Sequence, residues 1–205
     1  MGGDGVEYRI RAGVARIEIL AGVTVVALAA WFIVPALGRA RVQADRQACL
    51  ANLGEIGRAL GSYLAANDER WPYVAKLRSF KVHQPPWPTL PEVLGPFIDG
   101  QSAMFHCPAD RRVLEKDDPL AGKFPRETTW YATEGLSYGW RWADDRGGQK
   151  LGHSPLSRAK GSGLGRADQT VLTDFELFHK GDGGGSFNTL FADFRARTSR
   201  ARPVD

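Results

Sequence analysis

With 205 residues, 27 Lys plus Arg against 23 Asp plus Glu and a formal charge of +4, the chain has the size of one modest domain plus an anchor. The charge is mild and comes with no Lys-rich block and no nucleic-acid motif, so no DNA or RNA partner is indicated. Counts of 24 Gly, 12 Pro and 6 Trp against 2 Met point to a turn-rich head rather than a helical bundle, and a head of about 135 residues can bury a core.

Residues 1–13 read as a disordered leader. From Ile17 to Leu37, 21 residues hold a single charge, Glu18. As a helix this run spans about 31 Å at about 1.5 Å per residue, the thickness of a bilayer hydrocarbon core. A carboxylate at the middle of such a span costs about 2.5–3.5 kcal/mol, and less near its ends. Two readings of Glu18 follow: it reaches the headgroups, or it has a cationic partner inside the membrane. Ala36-Leu37-Gly38 also offers a small-residue site of the secretory-signal kind, although an ordinary signal core is only about 7–15 residues. Arg9, Arg11 and Arg16 precede the run and Arg39, Arg41 and Arg46 follow it, so the positive-inside rule does not set orientation.

Pro35 removes a helical hydrogen bond and predicts a bend. Beyond it, Cys49, Leu53, Ile56, Leu60, Tyr63 and Leu64 recur at spacings of three and four, one apolar stripe of a helix that ends near Asn67. Most of the prolines fall between 72 and 125, where regular structure is sparse; a short helix is expected around Leu90–Ile98. Ser137–Ala143 alternates, with Tyr138, Trp140 and Trp142 on one face. That is a strand, and its aromatic strip is either core or a glycan-binding face. Residues 144–168 read as a long polar loop, and Gly161-Ser162-Gly163-Leu164-Gly165 lacks the spacing of a dinucleotide fingerprint. Gln169–Phe178 and Asn188–Thr198 are expected as two strands of a closing antiparallel hairpin, joined by a freely turning Gly-rich linker, Lys180–Ser186. Arg195, Arg197, Arg200 and Arg202 are expected to form a solvated tail.

The two cysteines, Cys49 and Cys107, form one disulfide if the head is exported, and otherwise are two free thiols. The four histidines have no zinc-ligand spacing, and no nucleophile elbow or phosphate loop is present. The acid pairs Asp117-Asp118 and Asp144-Asp145 fall in loops. The best metal candidate is a calcium site from Asp174, Asp182 and Asp193 beside the Gly-rich loop; the alternative is that these aspartates cap turns. His179 is expected as a hydrogen-bonding surface histidine rather than a ligand.

Gly13, then Val14-Ala15-Arg16-Ile17-Glu18, then the apolar run with Pro35, resemble the prepilin cleavage and methylation signature of type IV pilins and type II secretion pseudopilins. The family's usual Phe at the first mature position is Val14 here, and its apolar third position is Arg16. The chain from Cys49 onward is similar to a pilin-like group common in planctomycetes and verrucomicrobia. The matching elements, in order, are Cys49-Leu50-Ala51-Asn52-Leu53, Trp87-Pro88, Cys107-Pro108-Ala109-Asp110, Ser137-Tyr138-Gly139 and Leu190-Phe191-Ala192-Asp193. After Asp193 the group's Gly-His is Phe194-Arg195.

The resemblance implies an α+β fold, a long kinked N-terminal helix on a small antiparallel-sheet head. Its segments are a leader (1–13), a transmembrane and assembly helix (14–37), an amphipathic continuation (38–70) and an extracytoplasmic head (71–205). It implies cleavage after Gly13 by a prepilin peptidase and methylation of Val14. Glu18 and Pro35 would serve assembly with other pilin or pseudopilin subunits in the inner membrane. The implied protein is a non-enzymatic structural subunit with no cofactor beyond the candidate calcium.

Overall fold

A computed structural model describes residues 4–79, 86–140, 169–181 and 184–200; the side chains of 4–20, 180, 181, 184 and 200 lie outside the described set. The chain divides into two compact units, Met1–Gln43 and Ala44–Asp205. One helix, α1 (Asp4–Ala66), belongs partly to each and is helical through Pro35.

In the first unit, residues 21–40 of α1 are all exposed. They include Val26, Trp31 and Phe32, which are 69%, 78% and 73% accessible. Among the described residues, this is the one helix long and apolar enough to cross a membrane.

In the second unit the predicted stripe is the core. Cys49, Leu53, Ile56, Leu60 and Leu64 are buried, and Tyr63 packs edge-on against Phe97 at 5.7 Å. The helix stops where Asp68 and Glu69 take positive φ values of 53° and 58°. The Leu64 carbonyl there accepts from the Asn67 and Glu69 amides, and Asn67 Nδ2 donates to the Tyr63 carbonyl. The end groups of the helix are thus partnered as a helix C-terminus requires.

The short helix expected in the Pro-rich stretch is α2 (Leu90–Leu94), continued by a 3-10 turn, Gly95–Phe97. The Glu92 carboxylate accepts the Thr89 N–H at 2.7 Å, one arm of a capping box. Strands β1 (Arg112–Val113) and β2 (Glu127–Thr128) pair with each other and lead into the five-residue helix α3 (Trp130–Glu134).

The main sheet is antiparallel throughout. It consists of β3 (Tyr138–Trp140), β4 (Thr170–Asp174), β5 (His179–Gly181), β6 (Gly184–Phe191) and β7 (Ala196–Arg200). Its order is β3-β4-β6, with β5 and β7 also paired to β6. Tyr138 lies opposite Asp174, Trp140 opposite Leu172, and Leu172 opposite Leu190. All five side chains are buried. Trp71 closes this face, 6.0 Å from the Trp140 ring.

Three expectations need correction. Asn188–Thr198 is not one strand: β6 ends at Phe191, the chain turns through Ala192–Arg195, and β7 returns along β6. The turn forms because Phe194 N–H donates to the Phe191 carbonyl and Phe191 N–H to the Arg195 carbonyl. Arg195 and Arg197 therefore lie on a turn and a paired strand, not on a free tail. The Gly-rich stretch is likewise not a free linker, because His179–Gly181 pairs with Gly184–Ser186 as the two arms of a hairpin. Glycine is required at 185, where a Cβ would stand 2.7 Å from Leu177 Cβ.

Candidate functional site

The head motifs converge on the bridge between Cys49 and Cys107, which are joined as a disulfide with Cα atoms 5.1 Å apart. It ties the C-terminal third of α1 to the segment that opens the Cys-Pro-x-Asp element. Asp110, three residues on, is fully buried. Its carboxylate accepts from Trp130 N at 3.0 Å, Tyr131 N at 2.8 Å and Ser137 Oγ at 2.6 Å. Ser137 Oγ in turn accepts the Cys107 N–H at 3.0 Å. Thr129 Oγ1 takes the Ala132 N–H of the same first turn of α3. Asp110 and Ser137 are therefore joints: each satisfies buried donors that no ladder reaches.

A second buried polar set lies on the other side of the bridge. His179 is 1% accessible and Asp174 4%. His179 Nε2 is 3.7 Å from Cys107 Sγ, 2.9 Å from Asn188 Nδ2 and 3.4 Å from Asp174 Oδ2. The same Asp174 oxygen accepts the Asn188 N–H at 2.6 Å, while Thr198 Oγ1 donates to Asn188 Oδ1 at 2.8 Å. Asp174 Oδ1 and His179 Nδ1 are buried with no hydrogen-bond partner. Burial pushes the Asp174 carboxyl above the usual range against the pull of the His179 and Asn188 hydrogen bonds. Burial likewise raises the Tyr138 phenol.

A third set surrounds Arg112. Its guanidinium donates to Glu134 Oε1 at 3.1 Å, Thr133 Oγ1 at 2.7 Å and Asp118 Oδ2 at 3.0 Å. It also lies 4.0 Å from the Trp130 ring centroid. Fully buried Glu134 accepts from Ser79 N and Oγ at 2.9 and 2.8 Å. The Leu120 N–H, and then the Arg112 hydrogen bond, hold the Asp118 carboxyl below its ordinary value. One guanidinium here bridges two carboxylates, Glu134 and Asp118, and so fixes their loops against one another.

No family model matches this chain, and no curated protein or solved structure is similar to it.

The predicted residues fall as follows. Gly13, Val14 and Glu18 lie within α1, their side chains outside the described set, and Pro35 is an exposed position of the same helix. Cys49 and Cys107 are bonded. Of the three candidate calcium ligands, the two described ones, Asp174 and Asp193, are not brought together. Asp182 lies outside the described residues. Asp174 sits next to Thr173, which pairs with Thr189, whereas Asp193 follows Phe191, the partner of Thr170. Asp174 and Asp193 thus lie at opposite ends of the β4–β6 ladder, on the order of 10–15 Å apart at about 3.3 Å per residue. Asp193 Oδ1 accepts the Arg195 N–H, as a turn-capping aspartate does. His179, expected at the surface, is in the core. Tyr138 and Trp140 are buried too, so these two offer no face to a glycan; Trp142 lies outside the described residues.

Arg112, Glu134 and Asn188 were not legible as partners in the sequence.

A cleft of about 260 Å³ opens on the outer side of the sheet between Lys76, Gly139, Phe175, Leu177 and Phe187. Three titratable residues, Lys76, Asp174 and Glu176, line it as well.

Proposed function

We propose that the chain is a structural subunit of a type II secretion or type IV pilus-like filament, a pseudopilin or minor pilin-like protein. The observation that supports this best is the pairing of an exposed apolar helix, residues 21–40 of α1, with a head that has its own core and disulfide. An apolar surface of that extent requires lipid or other apolar helices around it. In a filament both are supplied in turn, lipid before assembly and neighbouring subunits after it.

In this scheme a prepilin peptidase removes residues 1–13 after Gly13 and methylates Val14. Glu18 neutralises the mature amine of Val14 on a neighbouring subunit and sets axial register, because an unpaired charge in an apolar setting is penalised. Pro35, which cannot donate a helical hydrogen bond, lets the helix unwind locally as a subunit leaves the inner membrane. The head stays outside the cytoplasm and makes the contacts with cargo or neighbours.

Intact-mass and N-terminal analysis of protein from the native host tests the processing step. A chain beginning at methylated Val14 supports it; a chain beginning near Arg39 indicates ordinary signal cleavage, and an uncut chain a plain anchor. Glu18→Ala tests the pairing step, with loss of incorporation into filaments expected. Unchanged incorporation sinks that mechanism.

A further inference from the structure

The cleft on the outer side of the sheet has fixed apolar walls. Gly139 and Thr173 lie opposite each other in the β3–β4 ladder and face it, while Tyr138, Trp140 and Asp174 alternate onto the core face. Gly139 presents no side chain there. Phe175 lies over it, with two ring carbons 3.3 Å from the Gly139 Cβ position, and stacks on Trp130 at 4.5 Å. Leu177 packs on Gly185 and is 44% accessible. Phe187, half-buried, completes the wall.

Two charges of opposite sign stand at this wall. Lys76 is exposed, and its ammonium has no hydrogen bond or ion pair among the described residues. Glu176 is exposed as well. Its Oε1 accepts the Trp130 Nε1–H at 3.2 Å, and its carbonyl accepts the Phe178 N–H at 2.8 Å, so the residue is held in place with its second carboxylate oxygen unbonded among the described residues. The Asp174 carboxylate is already engaged by the Asn188 N–H. Size narrows the occupant. A cavity of about 150 Å³ takes up a benzene ring, so about 260 Å³ holds a ring and a short polar head. Charge narrows it further. A simple acid would meet Lys76 but be repelled by Glu176, and a simple amine the reverse. A molecule carrying both charges on adjacent atoms meets each with its opposite.

We propose that this cleft binds a free α-amino acid whose apolar side chain is about the size of a benzyl group. The ligand carboxylate sits at Lys76, its ammonium at Glu176, and its side chain between Phe175, Leu177 and Phe187. Aromatic walls and a few polar groups that fix orientation are the usual make-up of a small-molecule site. The site belongs to the head alone and holds whether or not the chain enters a filament.

The test is calorimetric titration of the full chain in lipid nanodiscs, beside empty nanodiscs, with phenylalanine, 2-phenylethylamine and 3-phenylpropanoate. Phenylalanine should bind at one site per chain. The amine, which lacks the carboxylate, and the acid, which lacks the ammonium, should each bind about tenfold more weakly, the size of one lost charge-assisted contact. Lys76→Met should bring phenylalanine down to the affinity of the amine. Glu176→Gln, which keeps an acceptor for Trp130, should bring it down to that of the acid. Both side chains are exposed, so neither change disturbs the core. The proposal is overturned if phenylalanine shows no saturable binding up to about 10 mM, the weak end of specific recognition. Equal affinities for the three compounds overturn it too, since a merely greasy surface would behave that way. So does a phenylalanine affinity that neither substitution moves, which places the binding elsewhere on the chain.

Discussion

Asp110 and Ser137 stand 27 positions apart and share a hydrogen bond of 2.6 Å, fully buried. Through it, the Cys-Pro-x-Asp and Ser-Tyr-Gly elements become one joint: the carboxylate holds the start of α3, and the hydroxyl holds the backbone of the disulfide cysteine. Asp110→Ala strands three donors at once. With about 1–3 kcal/mol for each buried group left unpaired, and less than additive losses, a destabilisation of about 3–5 kcal/mol is expected. Ser137→Ala should cost about 1–3 kcal/mol. Denaturant titration of both single variants and the double variant checks this; a double variant equal to the sum of the singles would refute the shared joint.

At Gly57, α1 packs against the β6–β7 turn. A Cβ there would sit 3.1 Å from Leu190 Cδ1 and 3.2 Å from the Phe194 carbonyl oxygen. On propensity alone, alanine in a helix gains about 1 kcal/mol over glycine. Overpacking against backbone costs about 1–3 kcal/mol, so Gly57→Ala should be net destabilising. Gly54 has nothing within 4 Å of its Cβ position, and Gly54→Ala should be stabilising. The two midpoints of unfolding, measured side by side, should move in opposite directions.

Phe194 holds φ at 61°, a backbone state that costs a residue with a Cβ about 1–2 kcal/mol. Its ring is kept for packing, 6.4 Å from Trp71 and 3.8 Å from the Cβ position of Gly61. Phe194→Ala loses the packing and keeps the strain, whereas Phe194→Gly loses the packing and relieves the strain. The glycine variant should therefore be the more stable of the two by about 1 kcal/mol, the reverse of the usual order. Thermal unfolding of the pair reads the sign.

Asp174 sets a pH dependence. Its folded pKa is raised, chiefly by burial, so between the unfolded value of about 3.9 and the folded value the native state binds more protons than the unfolded state. Stability from this group is full below that window and falls as pH rises through it. Asp118 has the opposite sign: its pKa is lowered, and its contribution is lost only as pH falls below the ordinary carboxylate range. Asp174→Asn keeps a carbonyl oxygen that can accept the Asn188 N–H and removes the titration. Its stability relative to the parent should rise as pH increases from 4 to 8, measured by urea unfolding across that range. A constant difference would refute the assignment.

The sequence by itself determined the local and periodic features. One turn in every 3.6 residues is enough to place Cys49, Leu53, Ile56 and Leu60 on one buried face, and composition alone marks residues 17–37 as a helix that water does not favour. Alternation placed β3, and the spread of prolines correctly left 72–125 mostly irregular. Tertiary structure decided whatever depends on pairing distant positions. A β-ladder chooses its register by what lies opposite, so the turn at Ala192–Arg195 and the β5–β6 hairpin could not be read from strand composition. Asp174 and Asp193 look alike in sequence, yet one is buried beside His179 and the other caps a turn. Burial and the partner across the fold, not residue type, set what a carboxylate or an imidazole does, and neither exists until the chain has closed on itself.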